Sequence, residues 1–253
     1  MSLEYTIRRC ENFDDYQKCI DLQCSVWNFS ELEATPPRIY VISQNCGGFL
    51  IGAFTPQNEL LAFLHSFGGF DENLQPMYYS HMLAVVPEYH NSGLGRELKL
   101  WQRQEAIKHK IKKVTWTFDP LRSLNAHFNI NRLGCIIRQY RANFYGTGNT
   151  SVFDSGIEAD RLKAEWWVST DRVAKIVAGE LPSIPHDAPY VEIPVDISAV
   201  RENSLEETKM WRLKVREEFQ KMFAQGLTCT AFVRGEGNSL SRYYFTEYSP
   251  ETT

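Results

Sequence analysis

The chain has 253 residues, 43% of them hydrophobic, enough to bury one large core or two smaller ones and too apolar for a disordered polymer. A net charge of −4 argues against a general nucleic-acid coat. No apolar run approaches the roughly 20 residues that a membrane-crossing helix needs, and the N-terminus MSLEYTIRRCENFDDY has no signal-like apolar segment.

Six scattered cysteines (Cys10, Cys19, Cys24, Cys46, Cys135, Cys229) lack zinc-ligand spacing, so reduced thiols in a cytoplasmic protein without metal are expected. Glu4 to Cys10 reads as a strand. A helix follows from about Phe13, with Asn12 as N-cap and Tyr16, Ile20, Cys24 and Trp27 on its apolar face. The prolines of ATPPRIYVISQN open a second helix or a turn. GGFLIGAF and ELLAFLHSF, separated by TPQN, form a hairpin. An aromatic loop, GGFDENLQP, leads to the long strand MYYSHMLAVV, which Pro87 ends.

From about Gly93 to Lys110 a helix is expected, with Leu94, Leu98 and Trp101 on one face. KKVTWTFDP is a strand, LRSLNAHFNINRL a short helix closed by Gly134, and CIIRQY a further strand. Residues 143–160 read as a surface connection, RLKAEWWVS as a strand, and the proline-rich 179–203 as an extended crossing segment. Ser204 and Glu207 open the last helix as a capping box, Trp211, Val215, Phe219 and Met222 give its apolar face, and TCTAFVR and RYYFTEY form a terminal hairpin around GEGNS. The fold class is α/β of the α+β type: a mixed, largely antiparallel central sheet flanked by helices, with a C-terminal helix-and-hairpin region. The expected organisation is residues 1–150 as one domain and 151–253 as an appended region.

Between the long strand and its helix stands HNSGLGRELKL, His90 to Leu100. A nucleotide P-loop would need Lys and Ser/Thr after the last glycine, and Gly95 is followed by Arg96 and Glu97. The dinucleotide fingerprint would need a third glycine where Leu98 stands. What fits is a pyrophosphate cradle at a helix N-terminus: early amides lack helical partners, the dipole favours an anion, and two glycines let phosphate approach the backbone.

LAVVPEYHNSGLGRELK resembles motif A of the GCN5-related N-acetyltransferases (GNAT), and VTWTFDPLRSLNAHFNINRLGC is similar to their motif B. The resemblance covers a little over half the chain. It implies acetyl-CoA or another acyl-CoA as co-substrate, with the pyrophosphate on the amides of His90, Asn91, Ser92, Gly93, Leu94, Gly95 and Arg96. It further implies pantetheine and thioester contacts from the backbone of Leu83 and Val85, and a cofactor contact from Asn125 or less directly Ser123. Two positions depart from the family pattern. His90 replaces the usual Gln or Arg, and Ile130 stands where the family often carries a tyrosine as general acid.

Acyl transfer to an amine needs a base for the proton released as nitrogen attacks. His81, on the strand that would flank the thioester, has the matching intrinsic pKa. Glu31, Glu33 and Asp119 are weaker candidates. Tyr145, or Tyr140, stands in for the missing acid. His127, Asn129 and Asn131 form a polar patch, and aromatics at 67–70 and at Trp166–Trp167 are core residues or pocket lining. No cysteine takes an obvious nucleophile position, Cys135 being the nearest to motif B. The expected activity is therefore direct acyl transfer to the amine of a small molecule, without nucleic-acid or membrane partners. The alternative is a non-catalytic CoA-binding or regulatory module. The amphipathic helix 204–225 makes a homodimer an additional expectation.

Overall fold

A computed structural model of the protein describes residues 4–29, 33–146, 156–237 and 239–250. The chain divides into two compact units, one ending at Val114 and the other beginning at Thr115. The division falls inside strand β5 (Lys113–Phe118), so motif B is grouped with the C-terminal elements.

The first unit runs β1 (Thr6–Arg9), α1 (Phe13–Trp27), α2 (Pro37–Asn45), β2 (Phe49–Phe54), β3 (Leu60–Phe70), β4 (Pro76–Val85) and α3 (Leu94–Lys108). Its strands follow in the order β1-β2-β3-β4, each antiparallel to the next. Asn12 caps α1 by accepting from the amide of Asp15 at 2.9 Å, and α2 opens on Pro37, whose missing N–H costs nothing there. All six residues of β2 are buried because both faces of the sheet are covered. Leu50 and Phe54 join Tyr16, Cys19, Leu22, Tyr40 and Phe63 in a cluster under α1 and α2. Phe49, on the opposite face, meets Trp101 of α3 with ring centroids 5.4 Å apart.

Two features of this unit depart from the sequence reading. β3 continues through Gly68 and Gly69 to Phe70, so Phe67–Phe70 belong to a strand. Bare glycine is required at Gly68, where a Cβ would come within 2.7 Å of the Cys46 carbonyl oxygen. The buried face of α3 also carries a polar row beside Leu94 and Leu98. Lys99 Nζ donates to Ser80 Oγ at 2.8 Å and Gln102 Nε2 to Ser66 Oγ at 3.2 Å, while Glu105 pairs with Arg9. Buried polar groups are satisfied in this way through partners on the sheet.

The second unit continues from β5 through α4 (Ser123–Ala126), a π-helical turn at His127–Arg132, β6 (Ile136–Arg141), β7 (Arg161–Trp167), α5 (Asp171–Val177), β8 (Tyr190–Ile193), α6 (Ile197–Asn203), α7 (Leu205–Ala224), β9 (Thr228–Val233) and β10 (Ser241–Thr246). Gly134 ends the π-turn at φ +83°, and a Cβ there would lie 3.2 Å from the backbone of Val173. β6 pairs antiparallel with β7 and β9, and β10 with β9 and β8.

Three elements are absent from the sequence reading. Helix α5 is capped by Thr170, and the segment read as an extended crossing contains β8 and α6, with Asp196 capping the latter. Helix α7 starts as expected, with Ser204 Oγ accepting from the amide of Glu207 at 3.1 Å. Its apolar face is used within the unit: Phe219 packs on Tyr243 and Phe245, centroids 5.0 and 5.3 Å away. Among the described residues no helix is long and apolar enough to cross a membrane.

Candidate functional site

The turn after β4 is built by backbone geometry. Pro87–Tyr89 form one 3-10 turn, Asn91 takes φ +61°, and Gly93 takes φ +95° as the residue before α3. Two expected phosphate donors are engaged inside the turn, the amide of His90 by the Pro87 carbonyl at 3.1 Å and that of Ser92 by the Tyr89 carbonyl at 3.3 Å. The amide of Leu94 donates to Ser92 Oγ at 3.3 Å. Among the described residues nothing accepts from the amides of Gly93 and Gly95, which stand at the helix N-terminus where an anion is favoured. Gly95 lies over the end of β4, and a Cβ there would come 3.5 Å from Val85 and 3.7 Å from Leu83. The bare backbone of Gly95 thus packs closely over Leu83 and Val85 at the end of β4. The Val85 carbonyl, expected to face pantetheine, accepts from His90 Nε2 at 3.0 Å.

His81 owes its place to a β-bulge. Along β3 and β4 the partners run His65 to Met82 and then Ser66 to Ser80, so His81 is the extra residue of β4. The bulge turns it to the face that carries His65 and Phe67, whose ring centroids lie 5.6 and 5.3 Å from its own. One side of His81 is exposed to solvent while protein surrounds the rest of the ring, and this desolvation lowers its pKa from the ordinary 6.5.

His65, not singled out in the sequence, is wholly buried. Its Nε2 lies 2.7 Å from Ser43 Oγ, and the edge of the Tyr40 ring meets it at 4.9 Å between centroids. Burial, with a smaller contribution from His81, depresses its pKa to about 3, so the ring is neutral. Its Nδ1 is buried without a hydrogen-bond partner. A histidine within an apolar strand gives no signal of this arrangement, because Ser43 is 22 residues away.

The remaining candidates lie in the second unit. Asn125 is exposed on α4, whereas Ser123 is buried with its hydroxyl donating to the Val195 carbonyl at 2.5 Å. Tyr145 is half exposed; its hydroxyl is 2.9 Å from Thr117 Oγ1 and its ring lies under the Arg161 guanidinium at 5.1 Å. Ile130 is buried. Tyr140 is half buried and donates to Asp160 Oδ2 at 2.5 Å, and burial first, then the Asp160 charge, drives its pKa up.

Asp119 forms a two-pronged pair with Arg212, at 2.7 and 3.0 Å. Burial works to raise its pKa and the Arg212 charge overrides it, so Asp119 is a structural carboxylate and a poor base. Asn131 bonds both ways with the backbone of Phe232, at 2.6 and 3.3 Å, which makes the polar patch on the π-turn a tie to β9. Trp166 is core, donating to the Leu133 carbonyl at 2.6 Å, and Cys135 is buried. Glu33 is half buried and Glu31 lies outside the described residues. Among the described residues no cluster of His, Cys, Asp or Glu has the arrangement of a metal site.

No family model and no curated protein matches the sequence. Solved structures do match. A protein from Desulfovibrio desulfuricans assigned to the GNAT acetyltransferase family is 18% identical, covers 66% of this chain and 100% of its own, and superposes with a TM-score of 0.53. The ribosomal-protein-S18-alanine N-acetyltransferase of Escherichia coli is 16% identical over 66% of this chain and 96% of its own, with a TM-score of 0.52. Arabidopsis thaliana Naa50, in complex with the bisubstrate analogue CoA-Ac-MVNAL, is 11% identical over 64% and 97%, with a TM-score of 0.50. The bulged β4, the glycine turn and α3 stand in the order that motif A requires, and the chain has the fold of the GCN5-related N-acetyltransferases.

Proposed function

We propose that the protein is an acyl-CoA-dependent N-acyltransferase that transfers its acyl group directly to the amine of a small molecule. The observation that carries this reading is the pairing, at the end of β4, of two amides left without acceptors at the α3 N-terminus with a bulge that presents an imidazole. Acyl-CoA, acetyl-CoA above all, supplies the activated thioester. The amides of Gly93 and Gly95 hold its pyrophosphate, aided by the dipole of α3.

His81 takes up the proton that the amine gives up on attack. Desolvation keeps its ring neutral at physiological pH and therefore able to accept. Tyr145 is the candidate donor of a proton to the departing thiolate, because the family's usual position holds Ile130. Direct transfer, without a covalent enzyme intermediate, is what the resemblance to the family implies, and Ser43, next to His65, is buried.

A second reading of the acceptor is a polypeptide amine. It is favoured by the neighbours that act on, or were captured with, a protein or peptide. One assay separates these: CoA release from several acyl-CoAs against amino acids, polyamines, aminoglycosides and short peptides. Turnover with a free small amine supports the first reading, and turnover restricted to peptides the second. Acyl-CoA binding without turnover on any amine would leave a regulatory CoA-binding module.

A further inference from the structure

The side chains behind His81 form a directed chain of hydrogen-bonding groups. Ser43 Oγ donates to the carbonyl of Tyr40 at 3.0 Å, one turn back in α2. Its hydrogen is thereby committed, so in the 2.7 Å contact with His65 the imidazole Nε2–H donates and Ser43 Oγ accepts. His65 then carries a bare lone pair on Nδ1, in a wholly buried ring and without a partner. A buried polar atom left unpaired is costly, which favours any rotamer that supplies a donor.

Of the three rings around His65, Phe67 has no donor, and the Tyr40 hydroxyl is held in a contact with Gln23. The third ring is His81, nearly perpendicular at 81° with its centroid 5.6 Å away. Two imidazoles at that separation bring a nitrogen of each to hydrogen-bond distance through a side-chain rotation. His81 has an exposed side and so has room to rotate.

We infer that His65 is a positioning residue for His81: its Nδ1 accepts a ring N–H of His81, fixing the tautomer and leaving the other His81 nitrogen free to take a proton from the acceptor amine. The inference rests on the reading of His81 as the base. It adds the polarity of the chain, from His81 through His65 and Ser43 to the Tyr40 carbonyl. The lone pair also stabilises protonated His81, offsetting the desolvation that would otherwise make it a weak base.

Beside the two imidazoles stand Tyr40 of α2 and Cys19 of α1, both held neutral first by burial, with Cys10 in the same buried cluster and Tyr79 of β4 opposite Phe67 in the strand register. Burial lowers the pKa of both imidazoles, and the charge of His81 adds to the lowering at His65.

Two amides separate this role from a packing role, because Asn places an oxygen where Nδ1 stood and Gln places its amide where Nε2 stood. His65→Asn keeps the acceptor for His81 and loses Ser43, while His65→Gln keeps Ser43 and loses the acceptor. The experiment is a pH titration of ¹⁵N-labelled full chain between pH 5 and 8, reading imidazole nitrogen shifts in the parent and both variants, with melts to show that each is folded. In the parent, His65 is expected neutral with its proton on Nε2. The His81 midpoint is expected to fall by about one pH unit in His65→Gln and to stay near the parent's in His65→Asn.

A proton on His65 Nδ1, an unchanged His81 midpoint in His65→Gln, or a larger fall in the Asn variant than in the Gln variant overturns the inference. If His65→Asn does not fold, the parent tautomer and the Gln midpoint decide. The titration needs neither acyl donor nor amine, so it stands whether or not the chain proves to be an acyltransferase. A midpoint that moves with no change in the acid limb of kcat/KM would count against His81 as base and leave the hydrogen bond intact.

Discussion

His90 folds its imidazole back onto the strand before its turn, with Nε2 3.0 Å from the carbonyl oxygen of Val85. That contact closes the loop between β4 and α3 from the inside. The ring braces the turn, and the amides of Gly93 and Gly95 are left without acceptors among the described residues.

The glycines of that turn make unequal tests. Gly93 has φ +95°, so any side chain there strains the backbone by roughly 1–2 kcal/mol even without ligand. Gly95 is helical, and a Cβ would meet only ordinary contacts at 3.5 and 3.7 Å. Gly95→Ala is expected to leave the melting temperature unchanged or raised, since alanine favours the helix by about 1 kcal/mol. Acyl-CoA affinity by calorimetry should fall at least about tenfold, a loss of about 1.4 kcal/mol. Equal affinity would reduce the turn to a structural device.

For His81 the sign of the pH dependence is fixed by its role. Only the neutral ring accepts a proton, so kcat/KM should rise with pH through a midpoint below the ordinary 6.5, because burial lowers the pKa. His81→Gln should lose that limb and most of the rate, with little change in melting because one side of the ring is exposed. Rates normalised to folded protein that match the parent would remove His81 from the mechanism.

His65 ties the same face to stability. Its pKa is about 3 when folded and 6.5 in the free residue, so the unfolded chain binds a proton that the folded chain refuses. Its contribution is fully present above pH 6.5 and is lost as pH falls toward 3, at about 1.4 kcal/mol per pH unit. Urea melts at pH 7, 6 and 5 should show this slope in the parent and a shallower one in His65→Gln. An identical slope in both would place the acid sensitivity elsewhere.

Tyr145 is testable through its hydroxyl alone. As the acid for the departing thiolate, Tyr145→Phe should reduce turnover by roughly 10²–10⁴-fold while leaving acyl-CoA affinity unchanged. Full turnover in the variant would hand thiolate protonation to solvent or to another residue.

The sequence by itself determined whatever depends on neighbours along the chain. Asn12 and Ser204 cap α1 and α7 where their side chains meet amides three residues on, and TPQN joins β2 to β3. The glycine turn of motif A is legible for the same reason, since its conformation is set by local backbone freedom. Short elements without strong periodicity, α5, β8 and α6, escaped because their stability comes from packing. Tertiary structure alone decided the site's chemistry. The bulge that turns His81 onto the face of His65 is a property of strand register, and no composition of β4 announces it. Asp119, open to either role as a sequence residue, became a structural carboxylate once folding set Arg212 against it. The His65–Ser43 contact likewise joins residues 22 positions apart, through the packing of α2 on the sheet. Pairings of that kind depend on which surfaces are buried together, and a side chain's pKa and free lone pair are fixed only then.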